Sequence, residues 1–241
     1  MKIVKKLTFI FTTFDETKKT EMLVVGAKGL AKEVLDMLLL NKEMNNLVFY
    51  DDVNVNEPDL LFGQFPILRS AEAAKEYFEN TDKRFTLGVG FPHVRYALYH
   101  KFLELGGAPF TLISANSDLG HFDIEIGEGV TMGYHCAISN SVHIGRGSFI
   151  NAKTIVGHDS TIGEFCEICP SVNIAGHIDI GDYTFLGTGV IVYPKVKIGK
   201  NVSVTAGSIV RKNVPDNSIV HGLDGKVIGK KPAFESLILK S

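Results

Sequence analysis

The chain has 241 residues, 45% of them hydrophobic and 22% charged, and a formal net charge of −2. Such a composition excludes a disordered chain and leaves room for one large or two modest domains, each with a real core. With no basic excess and no run of like charge, it carries no electrostatic footprint for nucleic acid or for an anionic membrane.

Three cysteines, Cys136, Cys166 and Cys169, are an odd number without the spacing of a disulfide framework, so a reducing compartment, the cytoplasm, is expected. The opening stretch MKIVKKLTFIFTTFDETKKTEM sets lysines before a short apolar run. It lacks a small-residue cleavage site, and threonines break the run well short of a bilayer span. Residues 1–21 are therefore read as an N-terminal extension, and no membrane insertion is expected.

From Met22 the pattern becomes regular. MLVVG is a short strand ending in glycine, and LAKEVLDMLL after it places Leu30, Val34, Met37 and Leu38 on one helical face. LVFYDD is a second strand candidate; GQFPIL follows it, with AEAAKEYFEN as a helix. RFTLGVG reads as another buried strand, and HVRYALYHKFLELGG as a helix closed by Gly106 and Gly107. Strands alternating with helices imply a parallel sheet covered on both faces, a small Rossmann-like α/β domain over residues 22–110. Its first turn, GAKG from Gly26 to Gly29, either simply reverses the chain or brings backbone N–H groups and a helix N-terminus to an anion. Asp51 and Asp52 end the next strand, where such folds hold a ribose hydroxyl.

The remainder, residues 111–241, is a repeat. Counting in sixes from Ile126 to Val210 meets an aliphatic residue or methionine in fifteen consecutive hexads, with glycine next in eight of them. Four residues after each aliphatic comes a small or β-branched side chain, such as Cys136, Ser148, Thr154 or Val172. A chain of this kind coils as a parallel β-helix, three hexads to a coil of about 18 residues, with the aliphatic side chains stacked inside. The core accounts for the aliphatics but not for the His158–Asp159 pair in IVGHDSTIG.

The unbroken hexapeptide repeat, preceded by VVGAKGLAKEV and FYDD and containing GHDSTIGEF, resembles the PglD/NeuD-type sugar acyltransferases over residues 22–228. The resemblance implies a left-handed β-helix, acetyl-CoA as acyl donor, a sugar or sugar nucleotide as acceptor, and a homotrimer. The implied acceptor is a nucleotide-linked 4-amino sugar for surface glycan synthesis.

By the same resemblance His158 is the general base, in keeping with the chemistry: an amine must shed a proton as it attacks a thioester, and imidazole accepts protons near neutral pH. Asp159 would fix its tautomer and stabilise the imidazolium. The resemblance makes Asn151 a substrate positioner, and Gly176, 18 residues beyond His158, the source of an oxyanion N–H. Such a donor is worth about 2.7–4 kcal/mol in comparable sites. Gly187, Thr205 and Ala206 would line the CoA groove with Gly176, and Lys226 would meet a phosphate. Gly26, Gly29, Asp51, Asp52, Gly90 and Arg95 would hold the sugar nucleotide.

The chain departs from the family pattern at Leu30, Glu167, Asp224 and Gly225. Glu167 and Leu30 each stand where family members carry a histidine. His121, His135, His143, His177 and His221 are read as exposed or structural, Cys166 as a core residue, and no metal is expected. Rival readings are a sialic acid O-acetyltransferase, a zinc carbonic anhydrase-like β-helix, whose histidine spacing is missing here, and a non-catalytic sugar-nucleotide-binding scaffold.

Overall fold

The computed structural model of the protein describes residues 21–42, 46–54 and 56–238, so residues 1–20 of the expected extension lie outside the described residues. The N-terminal part runs β1 (Met22–Val25), α1 (Gly29–Leu40), β2 (Leu47–Tyr50), β3 (Leu60–Leu61), β4 (Phe65–Leu68), α2 (Ala71–Asn80), β5 (Arg84–Leu87), α3 (Pro92–Glu104) and β6 (Ala108–Pro109). The sheet order is β3-β4-β2-β1-β5-β6.

Alternation along β1 explains the layers. Met22 and Val24 face α1, packing with Ala31, Val34 and Leu38, while Leu23 and Val25 face α2 and α3 through Phe78, Tyr99 and Phe102. The sheet is not wholly parallel as expected. The chain reverses at Phe62 and Gly63, both at positive φ, and β3 returns antiparallel against β4. Two-residue β3 was too short to leave a period in the sequence. The topological switch point, where α/β sheets hold ligands, lies between β1 and β5.

From Leu112 the chain winds as a parallel β-helix of three flat faces. The first face stacks the strands that begin at Leu112, Thr131, Phe149, Glu167, Phe185 and Ser203. The second stacks those at Asp118, Ala137, Ile155, Asn173, Ile191 and Ile209, and the third those at Ile124, Val142, Ser160, Asp179 and Lys197. Beyond the first coil, where Leu112 and Thr131 are 19 apart, partners are 18 residues apart, as in Ile155↔Asn173 and Asn173↔Ile191. The hexad residues fill one continuous core, with Met132, Ile150, Val156, Ile168, Leu186, Val192 and Val204 at 0% exposure. Each contributes about 1.5–3 kcal/mol by leaving water. Cys166 lies in that core as expected, and burial pushes its thiol up to about 12.

The three faces meet different surroundings. The α/β part covers the first face, so that outward-facing Thr131 and Phe149 are buried. Arg95 on α3 is the wedge between the two: fully buried, it donates from Nε to Gly147 O (2.7 Å) and from Nη1 to Val89 O (2.8 Å), and its guanidinium lies over the Phe149 ring. A C-terminal hairpin (Ser218–His221 with Lys226–Lys230) closes the helix. The short helix α4 (Phe234–Ile238) then stacks Phe234 on Tyr183.

Candidate active site

The corner between the second and third faces carries the chemistry. Its turns need a residue at positive φ in each coil, and Asp159 (55°) and His177 (60°) fill equivalent positions in adjacent coils. His158 stands above Gly176 in the same way. His177 N–H donates to His158 O at 2.9 Å and locks the two turns together.

His158 Nδ1 lies 2.6 Å from Asp159 Oδ2. The hydrogen bond from His158, aided by the charges of His177 and His158 and outweighing a slight burial cost, holds the Asp159 carboxyl below the usual carboxylate range. An ionised acceptor at Nδ1 fixes the tautomer that leaves Nε2 with its lone pair. That nitrogen sits against Gly176, where a methyl group would come within 2.8 Å of both Nε2 and Cε1. The amides flanking Gly176 are spent on the ladder, Ala175 N–H to Val192 O and His177 N–H to His158 O. Gly176 N–H between them has no partner among the described residues. A basic nitrogen and a free N–H donor therefore stand side by side, which is the equipment for acyl transfer.

Asn151 is elsewhere. Seven residues carry the chain along a full edge of the prism, so Asn151 lies at the corner between the first and second faces, one edge away from His158. Its Oδ1 accepts from Ala152 N–H at 2.6 Å. The same corner gathers Gly187, Thr205 and Ala206. A methyl at Gly187 would touch Ala206 N at 2.6 Å, and Thr205 Oγ1 bonds His221 Nδ1, whose strand partner is Lys226. Within one chain, then, the residues split between two corners separated by the second face.

That face is apolar and uncovered. Ala137, Ile155, Asn173, Ile191 and Ile209 point outward along it, Ile155 being 48% and Ile191 39% exposed. The third face presents Glu125, His143, Thr161, Asp179 and Lys197. Grooves of about 570 and 380 Å³ lie along the third face, away from His158, whose side chain is 58% exposed on an open corner.

In the α/β part, Asp51 turns inward to its own loop. Its Oδ1 accepts from Val53 N–H and Asn54 N–H, and Oδ2 from Asn54 Nδ2. Burial alone would raise its pKa, but these hydrogen bonds and Arg69 outweigh it and the carboxyl ends below its ordinary value. Asp52 pairs with Lys101 Nζ at 2.8 Å and accepts from Tyr50 Oη at 2.7 Å. Gly26, at φ +115°, has no room for a side chain, with Gly88 O 2.7 Å from a Cβ position, whereas Gly29 opens onto free space at the uncapped start of α1.

Arg95 corrects the sequence reading: sealed between α3 and the first face, it cannot reach a nucleotide, because the carbonyls of Gly147, Leu87 and Val89 and the Thr131 hydroxyl take its donors. Gly90 lies beside Glu167, and Glu167 Oε2 accepts Phe91 N–H at 2.6 Å. Burial pushes the Glu167 carboxyl up, against the pull of that hydrogen bond and of Arg95. So Glu167 ties the two parts of the chain together.

Sequence reasoning missed His177. Its Nδ1 is 3.7 Å from Asp159 Oδ2 and its ring is edge-on to His158 at 5.0 Å. The 18-residue period that places Gly176 under His158 also places His177 under Asp159, so the signal was present. His158, Asp159 and His177 hold potential metal-ligand atoms within 4.8 Å of one another.

Comparison with known proteins agrees with this architecture. The PglD N-terminal domain model matches residues 21–102, and the bacterial transferase hexapeptide model (six repeats) matches residues 177–212. A perosamine N-acetyltransferase mutant from Caulobacter crescentus, in complex with CoA and GDP-perosamine, superposes with a TM-score of 0.80 at 26% identity, covering 87% of this chain and 97% of that one. GDP-perosamine N-acetyltransferase of Escherichia coli O157:H7 is 25% identical over 70% of this chain and 76% of its own length. Serine acetyltransferase 4 of Arabidopsis thaliana is 34% identical over 38% of this chain and 29% of its own length. The chain spans 29% to 60% of that protein and two other curated relatives. The chain is similar to the PglD/NeuD-type sugar acyltransferases in both its parts, an N-terminal α/β domain and a left-handed β-helix of hexapeptide repeats.

Proposed function

We propose that this protein transfers the acetyl group of acetyl-CoA to the amino group of a nucleotide-linked sugar, and that it does so as a homotrimer in the cytoplasm. The observation that carries the reading is the His158–Asp159 contact of 2.6 Å with Nε2 set against Gly176. Solved relatives with CoA and GDP-perosamine bound support the substrate pair. Free cysteines suit a reducing compartment.

In the reaction, the neutral amine nitrogen attacks the thioester carbonyl while His158 Nε2 takes its proton. Negative charge collects on the carbonyl oxygen, where Gly176 N–H meets it. The C–S bond then breaks, CoA leaves as thiolate, and the imidazolium returns the proton to sulfur. Asp159 stabilises the imidazolium throughout.

The uncovered second face supports the trimer. Three chains that turn this face towards a common axis bury Ile155 and Ile191 and bring the His158 corner of each chain against the Asn151 corner of the next. CoA then lies in the seam, along Gly187, Thr205 and Ala206 of one chain and Gly176 of the other, with Lys226 at its phosphate end. The sugar nucleotide docks at the switch point by Gly26, Gly29 and Gly90, over the loop that Asp51 and Asp52 hold.

The test is an acetyl-transfer assay with acetyl-CoA and UDP-, GDP- and dTDP-linked 4-amino sugars, with free sialic acid as a hydroxyl acceptor. An N-acetylated nucleotide sugar is expected. Acetylation of sialic acid alone, or of nothing, refutes the assignment.

A further inference from the structure

We propose that His158, Asp159 and His177 form a binding site for a zinc-type divalent ion, and that the ion inhibits the enzyme by engaging its base. The two imidazoles and one carboxylate have their ligand atoms within 4.8 Å of one another, and no other such group occurs among the described residues. Asp159 Oδ2 is 2.6 Å from His158 Nδ1 and 3.7 Å from His177 Nδ1. Ligands of a tetrahedral zinc site, with bonds near 2.0–2.2 Å, stand about 3.4 Å apart, so small side-chain rotations bring these donors onto one ion.

The fold pre-organises them. Asp159 and His177 occupy the same corner position in successive coils, at φ 55° and 60°, so their side chains leave the corner one above the other. Hydrogen bonds from Asp159 N–H to Asn140 O and from His177 N–H to His158 O hold both turns. The donor set is selective. Two nitrogens and one oxygen suit zinc and its transition-metal neighbours, whereas magnesium and calcium want oxygen throughout. In the single chain all three side chains are about half exposed, which leaves coordination positions for water.

An ion here replaces the His158–Asp159 hydrogen bond and turns the ring from its seat on Gly176, so the base can no longer take a proton. The inhibitory half of the proposal rests on the function proposed above; the binding half does not.

The test uses the full-length, tag-free chain, stripped with chelator and titrated calorimetrically with ZnCl2. One zinc per chain is expected, with none bound from MgCl2. His177→Ala and Asp159→Asn, both at exposed corners and checked for native melting, should each weaken zinc by at least about 10–100-fold, the loss that removal of even an outer partner of a ligand brings. In the transfer assay, parental activity should fall along the same zinc titration and return with chelator. Absence of zinc binding, or equal binding by His177→Ala, overturns the site. Zinc binding without any effect on an active enzyme overturns the inhibition. Zinc binding by a protein that acetylates no acceptor upholds the site and sinks the function instead.

Discussion

The His158 ring rests on the α-carbon of Gly176, so closely that a methyl group there would stand 2.8 Å from both Nε2 and Cε1. The neighbour that must yield is a half-exposed side chain rather than backbone, so Gly176→Ala should fold with an unchanged melting temperature. The ring must swing away, however, and misplacing a base by about 1 Å costs roughly 10²-fold in rate. A kcat near the parental value in a stably folded Gly176→Ala protein would show that the imidazole is not held over this glycine during turnover.

His158 and Asn151 occupy opposite edges of the second face, so each proposed site draws them from different chains. His158→Ala should lose about 10²–10⁴-fold in turnover, and Asn151→Ala should lose activity with it. Refolding the two inactive variants together should restore activity in about a quarter of the sites, those where a chain with intact His158 meets one with intact Asn151. Failure of the mixture to recover would mean that both residues serve one site within a chain. Ile155→Glu, which sets a charge on the exposed apolar face, should abolish recovery and shift the particle to monomer in sedimentation.

The hexads declared the fold because an aliphatic core repeats without interruption, and Ile150, Val156 and Ile168 lie where the period puts them. The period also stacks residues 18 apart, which is how Gly176 comes under His158. Spacing alone does not show which site Asn151 serves, since seven residues around a prism are an edge length and not a neighbourhood. Arg95 misled for a different reason. A loop motif records which residue stands there, whereas only packing reveals that its guanidinium is consumed by Gly147 O and Val89 O. Asp51 likewise looked like a ligand contact until its oxygens were found serving Val53 and Asn54. His177 was legible by the same period, 18 residues beyond Asp159, but a solvated corner histidine draws no attention until the residue stacked beside it is considered.

Arg95 joins the α/β part to the first face of the β-helix. Burial lowers its guanidinium to about 10, with Glu167 pulling the other way, so it is buried as a cation. Arg95→Ala leaves carbonyl acceptors unpaired in a sealed space and opens a cavity over Phe149, which should cost about 3–5 kcal/mol. The loss should fall on the α/β part, as faster hydrogen exchange in residues 22–42 and 84–110, while the β-helix coils keep their protection. Uniform loss of protection would mean that the two parts melt as one unit.

The pH dependence of the α/β part follows from Asp51. Its carboxyl is almost wholly buried, yet the hydrogen bonds from Asn54 and Val53 more than offset that burial and leave its folded pKa below the ordinary value of 3.8. A group depressed on folding stabilises the native state at every pH above its unfolded pKa, and the contribution is lost as pH falls through the folded one. Stability should therefore be level in this respect from neutrality down to about pH 5 and fall below about pH 4. Asp51→Asn should be less stable than the parent at neutral pH, since Asn presents one acceptor oxygen to three backbone and side-chain donors and brings two N–H donors of its own. Its stability should also depend less on acid, so the two curves, followed by denaturant unfolding between pH 3 and 7, should converge at the acid end. Parallel curves over that range would mean that Asp51 keeps an ordinary pKa and does not organise the loop through its charge.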